Sequence, residues 1–248
     1  MDERSVAGSG PEHLPPPSAA TGAGDGPLGT LGDPRALTIL TTEHWSLLSA
    51  RSLVYNEAFA RTGMFLTFLS ASTVALALVA QAMGFDHDFL LFATAILAFD
   101  LFIALATLGR ITDASNDDLR SIQGMNRLRH AYLEIAPGLE PYLIASQHDD
   151  MHGILSTYGE ADDQPSFFGS FVHGLTTTPG MVAVIAAALA GLFGGVVALD
   201  LGADGAIASG IGLASFAVFF GLMLGFAGRA FNRFAARLAP RFPTPPEA

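Results

Sequence analysis

Four uninterrupted apolar stretches, Met64–Met83, Phe89–Leu108, Gly180–Leu199 and Ala206–Ala227, constrain this chain more than anything else in it. Each is about 20 residues long, enough for a helix to cross the hydrocarbon core of a bilayer. Lipid offers backbone groups no water, so a spanning segment must satisfy its own hydrogen bonds, and only helices or closed barrels do this. Runs such as MVAVIAAALAGLFGGVVAL lack the alternation of barrel strands and therefore specify helices. The expected fold is all-α: a polytopic membrane bundle of two antiparallel transmembrane hairpins with helical extensions on one side.

The basic residues orient these hairpins. The chain has twelve basic residues, all of them Arg, and none falls in a span or in the short loops Gly84–Asp88 and Asp200–Gly205. Arg51 and Arg61 precede the first span, Arg110 closes the second, and Arg229, Arg233 and Arg237 follow the fourth. By the positive-inside bias, both termini and the long central segment are expected in the cytoplasm of a cell-membrane protein. No basic n-region precedes an apolar h-region at the N-terminus, so the first span is expected to act as its own insertion signal.

A net charge of −11 argues against nucleic acid as a partner. With no Cys there are no disulfides or thiolate sites, and with no Lys there is no Schiff-base chemistry. No nucleophile elbow, zincin motif or phosphate-binding loop is present, so neither an enzyme nor a cofactor is expected.

Six regions follow. Residues 1–32, rich in Pro, Gly and Ala, are expected to be disordered. Asp33 caps a helix with Pro34 at its first position, and residues 33–63 read as an amphipathic cytoplasmic helix whose face is Trp45, Leu48, Ser52, Tyr55 and Phe59. That face suits packing against the chain's own cytoplasmic hairpin, or contact with the membrane surface or a partner. The first hairpin covers 64–109. Residues 110–178 hold a cytoplasmic helical hairpin, with helices expected from Arg110 to about Ala136 and from about Glu140 to Tyr158. An interfacial segment with Phe167, Phe168 and Phe171 follows, and Thr178-Pro179 opens the third span. The second hairpin covers 179–228, and 229–248 is a basic tail. The charges of Asp117, Asp118, Arg120, Arg127 and Arg129, with Asn126, read as a solvated helix face. Arg229 to Leu238 reads as a topology signal with capacity for anionic headgroups.

Three groups of residues are candidate sites. Asp100 is the one acidic residue inside a span, and ionisable groups there are costly and often functional. Antiparallel pairing puts Ser70, Ser72 and Thr73 of the first span at its depth, with Ser215 of the fourth nearby. The cluster suits either a proton or cation relay in an oligomeric channel, or polar contact between helices of a scaffold. His148 and His152, with Asp149 between them, have the spacing of a metal pair on a helix, or of a polar helix face. Gly191 and Gly195, with Gly221 and Gly225, have the small-xxx-small spacing of closely packed membrane helices, suited to contact between the third and fourth spans or to a separate dimer interface.

The runs SARSLVYNEAFARTGMFLTFLSASTVALALVAQ and MNRLRHAYLEIAPGLEPYLIASQHDDMHGILSTYG resemble an uncharacterised family of actinobacterial-type integral membrane proteins, over about Thr38 to Phe234. The resemblance implies two spans, a cytoplasmic helical hairpin and two further spans, with no activity or site residues attached. The expected role is an oligomeric membrane scaffold or sensor, with the lipid bilayer, a second copy and a cytoplasmic protein as partners.

Overall fold

A computed structural model describes residues 31–158, 172 and 174–245. The predicted disordered tail, and Phe167, Phe168 and Phe171 of the interfacial segment, lie outside the described residues. Among the described residues the fold is helical without strands. The elements are α1 (Pro34–Met83), α2 (His87–Ile135), a 3-10 turn (Pro137–Tyr142), α3 (Met151–Thr157), α4 (Thr178–Asp200) and α5 (Gly205–Arg237). Four of them, α1, α2, α4 and α5, are long and apolar enough to cross a membrane, as a multi-pass membrane protein requires.

Local chemistry sets the helix ends. Asp33, Asp86 and Asp204 are N-caps whose carboxylates accept backbone N–H groups of the first turn, as from Phe89 at 2.9 Å. Thr177, not Thr178, caps α4, one residue earlier than predicted, and Pro179 sits in the first turn. Gly84 and Gly202 adopt φ of 76° and 90° in the two tight loops, a region that only glycine enters without strain.

Nothing interrupts α1 or α2 at the membrane boundary. The predicted amphipathic helix and first span are one helix of 50 residues, and the second span runs on to Ile135 as one of 49. Their contact runs the whole way. On α1 the packed residues Leu40, His44, Leu47, Arg51, Val54 and Ala58 alternate steps of four and three, then continue through Phe65, Leu69 and Ser72. On α2 they run from Phe89 through Leu97, Ala104 and Ile111 to Asp118 and Met125.

The predicted face of α1 is therefore not the packed one. Trp45 is 67% exposed and Phe59 57%, with Leu48 and Tyr55 also exposed. Packing selected the neighbouring stripe, where Leu47 meets the bare backbone of Gly124 on α2. Size and apolarity pointed to the large side chains, but close approach needs small residues opposite them.

The helices stand in a row. α1 packs on α2, α2 on α4, and α4 on α5. Of each helix's most apolar window, 28% is buried in α2 and 39% in α4, against 6% in each of α1 and α5. The outer two are edges, and the row does not close on itself. At the far side of the membrane His87, opening α2, meets Asp200, closing α4, at 2.7 Å and ties the two hairpins together.

The predicted second cytoplasmic helix does not form as one piece. After the 3-10 turn the chain is irregular until Asp150 caps α3 by accepting the N–H of Gly153 at 2.9 Å. Pro141 and the capping side chains of the QHDD run break the helix, because Asp competes for backbone N–H groups.

Candidate functional site

Asp100 and Ser72 meet as antiparallel pairing requires. Ser72 Oγ donates to Asp100 Oδ1 at 2.9 Å, and Asp100 is 2% exposed. The rest of the predicted cluster does not assemble. Ser70 and Thr73 donate to carbonyls of their own helix, those of Leu66 and Leu69, and are exposed. Back-bonding of this kind satisfies a hydroxyl in lipid without a second helix. Ser215 faces the backbone of Gly194 on α4, two helices away from α1.

The glycine prediction is half corrected. Gly191 and Gly195 do make a close approach, but to Gly212 and Ala208 of α5. A methyl on Gly212 would come within 2.9 Å of the Gly191 carbonyl. Gly221 has open space around it, and Gly225 faces only Arg229 of its own helix. α4 and α5 touch most closely at the far end, whereas Gly221 and Gly225 stand near the Arg-rich end.

Beyond the membrane lies a polar core that helix periodicity concealed. Asp118, Asn126 and Asp149, read as solvated or as metal ligands, are all buried. Asp118 accepts from Arg51, Tyr55 and Tyr158, which joins α1, α2 and the end of α3. Burial first, and then the bond to Asp118, push the Tyr158 hydroxyl well above its usual range. Asn126 spends both ends of its amide. Its Nδ2 donates to the carbonyls of His148 at 2.7 Å and Gly153 at 3.0 Å, and its Oδ1 accepts from Arg129 at 2.6 Å.

Asp149 is a clamp for the C-terminal segment. Its carboxylate accepts the backbone N–H groups of Arg241 at 2.9 Å and Phe242 at 2.7 Å, and the Arg127 Nε at 2.6 Å. Asp150 accepts the N–H of Thr244 at 3.0 Å, and the ring of Phe242 stacks on His130 with centroids 3.8 Å apart. Burial pushes the Asp149 carboxyl up, but the N–H of Arg241, Arg127 and the N–H of Phe242 together outweigh it and hold the group below its ordinary value.

The metal reading of His148, Asp149 and His152 is thereby corrected. His148 precedes the cap of α3, so the two imidazoles do not share a helix face, and the carboxylate between them is fully engaged. Among the described residues no group of three His, Asp or Glu could hold a metal.

At the membrane boundary Arg110 and Arg61 both reach Glu57, at 2.7 and 2.9 Å. Arg110 first, then Arg61, lower the Glu57 carboxyl to about 2.

No protein-family model, curated protein or solved structure matches this chain.

Proposed function

We propose that this chain is a non-enzymatic scaffold or sensor of the cell membrane, with both termini in the cytoplasm, that self-associates through the outward face of α1. One observation carries the reading. Leu37, Trp45, Leu48, Ser52, Tyr55 and Phe59 form an exposed stripe within roughly 80° of arc, and the same stripe continues through Gly63, Leu66, Ser70, Thr73 and Ala77 in the span.

The stripe is apolar where water surrounds it, and mostly small or hydroxyl-bearing where lipid does. Each half favours a helix partner in its own solvent, by apolar burial in water and by close backbone approach in lipid. A partner must change character at the same height. A second α1, inserted in the same direction, does so by construction. Its length of about 75 Å and a contact width of about 10 Å give roughly 1,500 Å² in total, the size of a standard interface.

The competing reading is an ion or proton pathway through Asp100, which needs that carboxyl to face water. Its 2% exposure and its bond to Ser72 favour a contact between helices.

Single cysteines test the interface in a chain that has none. Ser52→Cys and Ser70→Cys are expected to give disulfide-linked dimers when isolated membranes are treated with a mild oxidant. Leu53→Cys and Met64→Cys, also exposed but off the stripe, are expected not to. Uniform cross-linking, or none, would rule out α1 self-association.

A further inference from the structure

Arginines that only set topology need no cavity, and three of them here line one. Between α2 and α5, just beyond the ends of their spans, lies a cleft of about 390 Å³. Arg120 of α2 and Arg233 and Arg237 of α5 line it, with Asn116 beside them and Asp113 as the only carboxylate among the described residues. Arg120 spends one N–H on Asp117 at 3.2 Å. Neither Arg233 nor Arg237 has an ion-pair partner among the described residues. In a chain with a net charge of −11, the cleft concentrates positive charge at the depth of lipid headgroups.

The floor of the cleft is apolar. Thr112 and Phe226 line it and also line a second cavity of about 280 Å³ that reaches into the membrane layer. Leu108, Ala183, Phe220 and Met223 wall this lower cavity at the ends of the second and fourth spans and the start of the third. A guanidinium-lined upper chamber thus adjoins an apolar lower one, with Thr112 and Phe226 shared by both, across the boundary between water and hydrocarbon.

We propose that the two cavities form one site for an anionic phospholipid. Its phosphate sits among Arg120, Arg233 and Arg237, and an acyl chain enters the lower chamber. Arginine suits the task because its planar fork donates two parallel hydrogen bonds to phosphate oxygens. Asn116 and Asp113 face the headgroup's hydroxyls. A free phosphate would satisfy the arginines and leave the lower chamber without its matching apolar group.

Native mass spectrometry of the full chain in detergent tests this, with phosphatidylglycerol and phosphatidylcholine of identical acyl chains as probes. Phosphatidylglycerol is expected to be retained preferentially. Replacing both Arg233 and Arg237 with Gln is expected to lower its affinity about thirtyfold, from the attraction each arginine contributes near a headgroup. Arg120→Gln, on the other helix, provides an independent loss of several-fold. Ala183→Phe, which fills the lower chamber without changing charge, is expected to weaken phosphatidylglycerol as well. Arg229→Gln is expected to change nothing, since that side chain bonds to the Gly225 carbonyl outside the cleft. Circular dichroism confirms that each variant retains its helices. Equal retention of the two lipids, an equal loss in Arg229→Gln, or displacement of lipid by millimolar inorganic phosphate would each overturn the site, the last by assigning it to a soluble anion.

Discussion

Asp100 and Asp149 are both buried acids, and their partners give them different roles. Among the described residues Asp100 has a single hydroxyl for company. Replacing it with Asn preserves that bond and should shift unfolding in detergent by less than about 1 kcal/mol, the scale of interhelical hydrogen bonds in membranes. A cysteine at position 100 should resist water-soluble thiol reagents in intact membranes, and rapid labelling would restore the pathway reading. Asp149 instead holds two backbone N–H groups and a guanidinium. Asp149→Ala should cost about 2–4 kcal/mol in local stability, because charged hydrogen bonds are lost and buried donors are left unpaired. Amide exchange around Arg241 and Phe242 would register it first. The clamp should also respond to acid. Its carboxyl lies below the ordinary value of 3.8, so its contribution is complete above that pH and is lost as the pH falls through the lowered folded value. Protection of the C-terminal amides, taken relative to their intrinsic exchange rates, should therefore hold at neutral pH and fall only below about pH 4.

At the scale of elements, the α4–α5 contact depends on glycine at some positions and is indifferent to it at others. Gly212→Leu should separate the two helices and lower the unfolding midpoint, since Gly191 leaves it no room. Gly221→Ala, in open space, should be neutral or stabilising by up to about 1 kcal/mol through helix propensity alone. Thermal unfolding followed by circular dichroism separates the two outcomes. Gly191, Gly195, Gly221 and Gly225 all satisfy the same sequence spacing, and only the crossing point of the helices distinguishes them. The same limit governs the rest of what was legible. Spans, the Asp33 cap and the Asp100–Ser72 pairing follow from hydropathy, local side chains and antiparallel geometry, which are properties of one or two segments. The packed face of α1 depends on Gly124 in another helix, and the task of Asp149 depends on residues more than 90 positions away. Neither signal exists within a window of sequence. The QHDDMH run does not have the helical period its spacing suggests, because Asp150 starts α3 after His148 has passed.

For the whole molecule, the open row of helices makes α1 and α5 edges, each with a separate outward face. The two proposals use different edges, one copy binding copy along α1 and lipid entering beside α5. Variants of one should leave the other intact, which comparing cross-linking with lipid retention would check. Reporter fusions should place both termini on the cytoplasmic side, with tags in the loops at Asp86 and Ala203 on the other. The unbroken passage of α1 through the membrane boundary has a mechanical meaning. Its 50 residues form one rod, and the 30 residues preceding the span extend about 45 Å beyond it. A change in bilayer thickness that tilts the span by about 10°, well within the range seen for membrane helices, moves the far tip by about 8 Å. With no flexible joint between the span and its extension, the helix converts a small rotation in lipid into a displacement larger than a side chain at its tip.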